Sequence, residues 1–177
     1  MSENVLILPG IGNSGPAHWQ TLWEQSQPGF VRVQQRDWDE PVCNEWVAAI
    51  EEAVKHAGSE VVLVAHSLAC LAVAHWTTGP HSPVKAALLV AVPNSKRPSF
   101  PREAVGFADT PTEPFSFRSI VVVSDDDPFG PAENAERLAA AWGSRVVHVG
   151  PCGHINASSG LGDWPEGYAL LRQLLDL

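Results

Sequence analysis

Short apolar runs alternate along this chain with stretches in which apolar residues recur at helical spacing. Val5-Leu-Ile-Leu8 is apolar and stops at Pro9-Gly10, which predicts a strand followed by a turn. After a glycine-rich segment, residues 16–25 read as a helix with Pro16 in its first turn. Residues 30–36 alternate apolar and polar, as in a strand near a sheet edge. Asn44 is placed to cap a helix whose Trp46, Val47, Ile50 and Val54 share one face, with Gly58 at its end. Val61-Val-Leu-Val64 is β-branched and unbroken, the character of a strand buried on both faces. Cys70 to Trp76 then reads as a buried helix, because small and apolar residues dominate it. Residues 85–91, 119–124 and 145–149 form three further strands. Helices are expected over 131–142 and 165–175.

Regular alternation of strands and helices predicts a parallel sheet covered on both faces, a three-layer αβα arrangement. The exception is the connection from 92 to 118, rich in proline and without periodicity, and long loops of this kind are usually functional or mobile. With 177 residues and no linker or repeat, one domain over residues 1–177 is expected. A hydrophobic fraction of 45% and a charged fraction of 18% are those of a soluble globular protein. The net charge of −9, with no Lys/Arg cluster, argues against nucleic acid and anionic membranes as partners. Met1-Ser-Glu-Asn lacks a basic n-region, and no apolar run approaches the roughly 20 residues of a membrane span. Three cysteines without metal-like pairing point to free thiols in the reducing cytoplasm, and no cofactor or metal is expected.

Sites in parallel α/β sheets lie at the carboxyl ends of the strands. The residues after successive strands include Gly10 to Gly15, Asp37-Trp38, Ser67, Pro93-Asn94, Asp125-Asp-Asp127 and Cys152-Gly-His154. Ser67 stands in Ala65-His-Ser-Leu-Ala69, between a strand and a helix, which is the setting of a nucleophile elbow with alanine at both usual glycine positions. Serine, aspartate and histidine, each after a different strand, follow the chain order of the α/β-hydrolase triad. Ser67 is the candidate nucleophile and His154 its base, since a serine hydroxyl needs a base in contact. Asp127, four residues before the helix-opening Pro131, is the preferred acid, with Asp126 as the alternative. Leu68 N–H and Ile11 N–H, in preference to Gly12, are the candidate oxyanion donors. His18, Trp19, Trp38 and Phe129 are candidate walls of an apolar acyl pocket, joined by the Phe100-Pro101 loop.

Leu8-Pro-Gly-Ile-Gly-Asn-Ser-Gly-Pro-Ala-His-Trp19, Asp37-Trp38, Val64-Ala-His-Ser-Leu68, Asp126-Asp-Pro-Phe129, Cys152-Gly-His-Ile-Asn-Ala157 and Gly160-x-Gly-x-Trp164-Pro165 run nearly end to end. In these motifs the chain resembles the retinoblastoma-binding protein 9/YdeN family of small serine hydrolases. That resemblance implies a Ser67–Asp127–His154 triad and a reduced α/β-hydrolase fold with a six-stranded parallel sheet and no large cap. It therefore also implies a preference for short-chain substrates. The family's Leu-x-Cys-x-Glu partner-binding motif is absent, so binding to that partner is not carried over. Ala69 replaces the glycine usual after the elbow and is expected to tilt the turn and slow attack.

Two rival readings remain. Gly10-Ile-Gly12-Asn-Ser-Gly15 spells a dinucleotide fingerprint, but Pro16 cannot donate the backbone bond that motif needs just after its third glycine. The other rival is a catalytically weak or inactive hydrolase-fold binding module. The expectation adopted is a carboxylesterase-like serine hydrolase of small esters, acting through an acyl-enzyme, as a monomer or weak dimer.

Overall fold

The computed structural model describes residues 4–176; Met1 to Glu3, read above for a leader, lie outside the described residues. Six strands form one all-parallel sheet: β1 (Val5–Leu8), β2 (Phe30–Arg32), β3 (Val62–His66), β4 (Ala86–Val90), β5 (Arg118–Val123) and β6 (Arg145–His148). Their order across the sheet is β2-β1-β3-β4-β5-β6. The chain moves outward from β1 to β2 and then returns to β3 on the other side. The carboxyl ends of β1 and β3 are thus the switch point where open α/β sheets bind ligands.

Alternate strand residues point to opposite faces, and each face has its own core. Leu6, Leu63, Ala87, Leu89 and Val121 meet α2 (Cys43–Ala57), α3 (Leu68–Trp76) and α4 (Ala132–Trp142). Val5, Ile7, Val62, Leu88 and Val122 meet α1 (Trp19–Ser26) and α5 (Pro165–Leu175). The central strands β3 and β4 are buried along their whole length, as their unbroken apolar sequence requires.

Of the boundaries that differ from expectation, three have a clear physical cause. Helix α1 starts at Trp19, not Pro16, because His18 takes the N-cap and its ring accepts the Gln20 N–H at 3.2 Å. Asn44 does not cap α2; Val42 holds that position, with the Cys43 N–H bonded to the Val105 carbonyl at 2.9 Å. Strand β2 stops at Arg32 because it pairs only with β1, whose ladder ends as the chain turns at Pro9. The long 92–118 connection is a pinned wall. Phe107 is buried, Val105 bridges Val42, and Trp142 donates its indole N–H to the Pro111 carbonyl at 2.8 Å. Among the described residues, no helix is long and apolar enough to cross a membrane.

Candidate active site

Strand β3 runs straight into Ser67, whose backbone takes φ 56° and ψ −124° before α3 begins at Leu68. A non-glycine residue in that region is strained and must be held by its surroundings. Here the Ser67 N–H bonds to the Val90 carbonyl at 2.9 Å, and the Ser67 carbonyl takes the Cys70 N–H at 2.9 Å. Below the turn the Cys70 thiol faces the Val90 carbonyl at 3.4 Å, and its burial pushes the thiol pKa upward. Ala65 and Ala69 are both buried, so small side chains suffice for the turn to form.

Histidine 154 reaches Ser67 from the loop after β6. Its Nε2 lies 2.7 Å from Ser67 Oγ, and its Nδ1 lies 2.9 Å from both carboxylate oxygens of Asp127. A carboxylate only accepts, so Nδ1 carries the proton and Nε2 presents its lone pair to the serine hydroxyl. Asp127 is itself fixed by the Phe129 N–H, donated to Oδ1 at 2.9 Å. The runner-up, Asp126, does other work: its Oδ1 accepts the Ser124 hydroxyl at 3.0 Å and the Gly153 N–H at 2.7 Å. It thereby staples the end of β5 to the loop that carries His154. Asp125 lies outside the site, against His148 at 3.0 Å.

The bend that presents His154 places Ile155 at φ 47°, an unusual conformation for a β-branched residue. Two buried donors hold it. His66 Nε2 donates to the His154 carbonyl at 2.9 Å, and Trp19 Nε1 donates to the Ile155 carbonyl at 2.8 Å. Burial above all, then the nearby His18 and His154 rings, lowers the His66 pKa well below the usual histidine value, so its ring stays neutral.

On the other side of the elbow, the turn after β1 comes close. A β-carbon at Gly10 would lie 3.0 Å from the Ser67 β-carbon and 3.5 Å from the Leu68 nitrogen, so glycine permits this approach. The Gly12 N–H is taken by the Trp38 carbonyl at 2.8 Å, whereas Ile11 lines the cavity beside Leu68. Gln20, fully buried, ties the two strand ends together: its amide donates to the carbonyls of Leu8 and Val64, each at 3.1 Å. Neither Gln20 nor the Ser124–Asp126 staple stood out in the sequence, because their partners lie far along the chain.

These elements surround a cavity of about 410 Å³, in the range of small-molecule pockets. His18 and Phe129 line it, as do Phe100 and Pro101. Phe129 is 47% exposed and sets its ring edgewise to His154 at 4.6 Å. Trp19 and Trp38 do not line it. Trp19 is 1% exposed and packs against Trp23 and Trp164, and Trp38 packs on Trp46 within the other core. His18 is 5% exposed; burial first, then the charge of Arg32 and His154, lowers its pKa to about 4. The glycine-rich segment does not open a helix, since α1 begins four residues after Gly15. Among the described residues, no group of three or more His, Cys, Asp or Glu is arranged to hold a metal ion.

An all-parallel six-stranded sheet with a strained serine at its switch point is the α/β-hydrolase fold in reduced form. The profile of the serine hydrolase family matches residues 5–173. A Pectobacterium atrosepticum protein described as a YdeN-like hydrolase superposes with a TM-score of 0.87 at 29% identity, over 99% of this chain and 91% of that one. The ydeN gene product of B. subtilis gives 0.81 at 19% identity, over 99% and 100% of the two chains. An esterase from Thermogutta terrifontis gives 0.69 at 15% identity, over 98% and 91%; these last two likenesses are of fold alone. No curated protein matches the sequence. The chain belongs to the YdeN-like serine hydrolase family.

Proposed function

We propose that the protein hydrolyses small carboxylic esters through an acyl-enzyme on Ser67. The observation that carries this reading is the continuous contact from Ser67 Oγ to His154 Nε2 at 2.7 Å and from His154 Nδ1 to Asp127 at 2.9 Å. As Ser67 Oγ attacks the ester carbonyl carbon, its proton passes to His154 Nε2, and Asp127 stabilises the imidazolium. The carbonyl oxygen becomes an oxyanion, which the N–H groups of Ile11 and Leu68 receive. Collapse expels the alkoxide, which takes the proton from His154. A water then gives its proton to His154 and attacks the acyl carbon, releasing the acid and restoring Ser67. His18 and Phe129 serve as substrate walls in this reading. The three free cysteines agree with a cytoplasmic setting, and no partner beyond the ester is required.

The test is labelling by a fluorophosphonate probe, which reacts with an activated serine, on wild type, Ser67→Ala and His154→Ala. Wild type should label while both variants do not, and an ester series of rising acyl length should then favour short chains. A folded wild type that refuses the probe would move the inactive binding module to first place.

A further inference from the structure

The polar groups around the cavity are unevenly committed. Three asparagines line it, and each has its side-chain oxygen occupied: Asn13 by the Ser14 N–H at 2.8 Å, Asn94 by the Lys96 N–H at 3.0 Å, and Asn156 by the Ser158 N–H at 3.0 Å. These bonds fix which way each amide is turned. Among the described residues, none of the three NH₂ groups has an acceptor. His18 repeats the pattern. Its Nδ1 accepts from the Gln20 N–H, so the neutral ring carries its proton on Nε2, which is buried without a partner.

Several of the wall's acceptors, by contrast, are consumed by its own turns. The carbonyls of Gly10, Asn94, Phe129 and Asn156 take backbone N–H groups at 3.0–3.2 Å, and the His154 carbonyl takes His66. Among the described residues, no lysine or arginine lines the cavity. Arg32, which reaches Asn13 Oδ1 at 2.9 Å, is already paired with Glu24 at 2.7 Å, and the chain carries a net charge of −9, so a full negative charge on a ligand finds no direct partner in the lining. The buried, unpartnered His18 Nε2 carries a cost, while the three half-buried amides are open to solvent; a ligand that supplies acceptors removes the first and substitutes for water at the others.

We propose that this cavity selects neutral esters whose chain carries a further acceptor oxygen, such as an ether or ketone, over plain alkyl and anionic esters. The proposal rests on the hydrolase reading only for where the ester group sits; the donor excess belongs to the cavity itself.

The test compares 4-nitrophenyl 4-methoxybutanoate with 4-nitrophenyl hexanoate, chains of equal length that differ by one oxygen for a methylene. An apolar wall would favour hexanoate several-fold. The donor-lined cavity should favour the methoxy ester in kcat/KM by about tenfold, the worth of one well-made hydrogen bond. In Asn94→Asp and Asn156→Asp the turn-closing oxygen is kept while the donor becomes an acceptor, and the preference should fall to about twofold or less by the same reasoning. The hydrogen glutarate ester, which places a carboxylate near the same point, should be the poorest of the three. Ser67→Ala protein titrated by NMR with the methyl esters should show the same order of affinity. Hexanoate or glutarate preferred in both assays would overturn the proposal. Absence of probe labelling and of turnover would remove the hydrolase reading, and the NMR order alone would then decide the cavity's preference.

Discussion

At Asp127 one atom decides the outcome. The His154 Nδ1–H needs an acceptor, and both oxygens of the carboxylate that provides it lie at 2.9 Å. Asp127→Asn keeps the shape but offers one oxygen and one NH₂. With Oδ1 already claimed by the Phe129 N–H, the amide turns its NH₂ toward the histidine and holds it in the wrong tautomer. Turnover of a short ester should drop by about 10³–10⁴-fold with the melting temperature little changed. A loss under tenfold would mean that Asp127 does not serve His154 in the proposed reaction. Gly130 acts through space instead of chemistry. A β-carbon there would lie 2.2 Å from the Val92 carbonyl oxygen and 3.3 Å from the Pro93 Cα, both backbone. The Phe129 carbonyl accepts the Asn94 N–H across this contact, so separating the segments displaces Asp127 and Phe129 from the site. Gly130→Ala is therefore expected to cost about 1–3 kcal/mol in denaturant unfolding and to lower kcat/KM as well. Unchanged stability would mean that the two segments can part freely.

The elbow shows what an element contributes beyond its residues. Ser67 already has the strained conformation with Ala69 in place, and α3 packs Ala69 fully into the core. Ala69→Gly should leave the rate of fluorophosphonate labelling within about twofold, and should lower stability by roughly 0.5–1 kcal/mol for a glycine in a helix. A large gain in labelling would instead show that alanine restrains the turn. The strands were legible because β1, β3, β4 and β5 are apolar runs that a doubly covered parallel sheet demands. Ser67, Asp127 and His154 were legible because each follows a strand, and parallel strands bring their carboxyl ends to one edge. Helix starts were less so: His18 caps through a ring nitrogen, and Val42 is held by a bridge to Val105, neither of which local sequence announces. Tryptophans misled for a related reason. An indole can wall a pocket or fill a core, and the choice for Trp19 depends on Ile155, Trp23 and Trp164 meeting it from distant positions.

For the molecule as a whole, the buried histidines make stability depend on pH. Histidine in the unfolded chain takes up its proton near pH 6.5, whereas folded His18 does so at about 4 and His66 well below the ordinary value. Above pH 6.5 both are neutral in both states and add no slope. Between 6.5 and 4 the unfolded chain binds protons that the folded chain refuses, so stability falls as pH falls. The His18 difference alone corresponds to about 3 kcal/mol across that window. Glu51 acts later. Burial pushes its pKa up, but bonds from the Ser82 N–H, the Trp76 indole and the Ser82 hydroxyl outweigh that and hold it at about 2. Its contribution is complete above about pH 4.5 and is lost as pH drops from there toward 2. Melting curves from pH 8 to 3 should therefore be flat at first, then descend in two stages. His18→Asn retains a capping oxygen for the Gln20 N–H but cannot titrate, and should make the first stage shallower, leaving the part that His66 contributes. Glu51→Gln should be less stable at neutral pH and should flatten the second. If His18→Asn runs parallel to wild type between pH 6.5 and 4.5, the first descent belongs to other groups and the ring is not held neutral by burial.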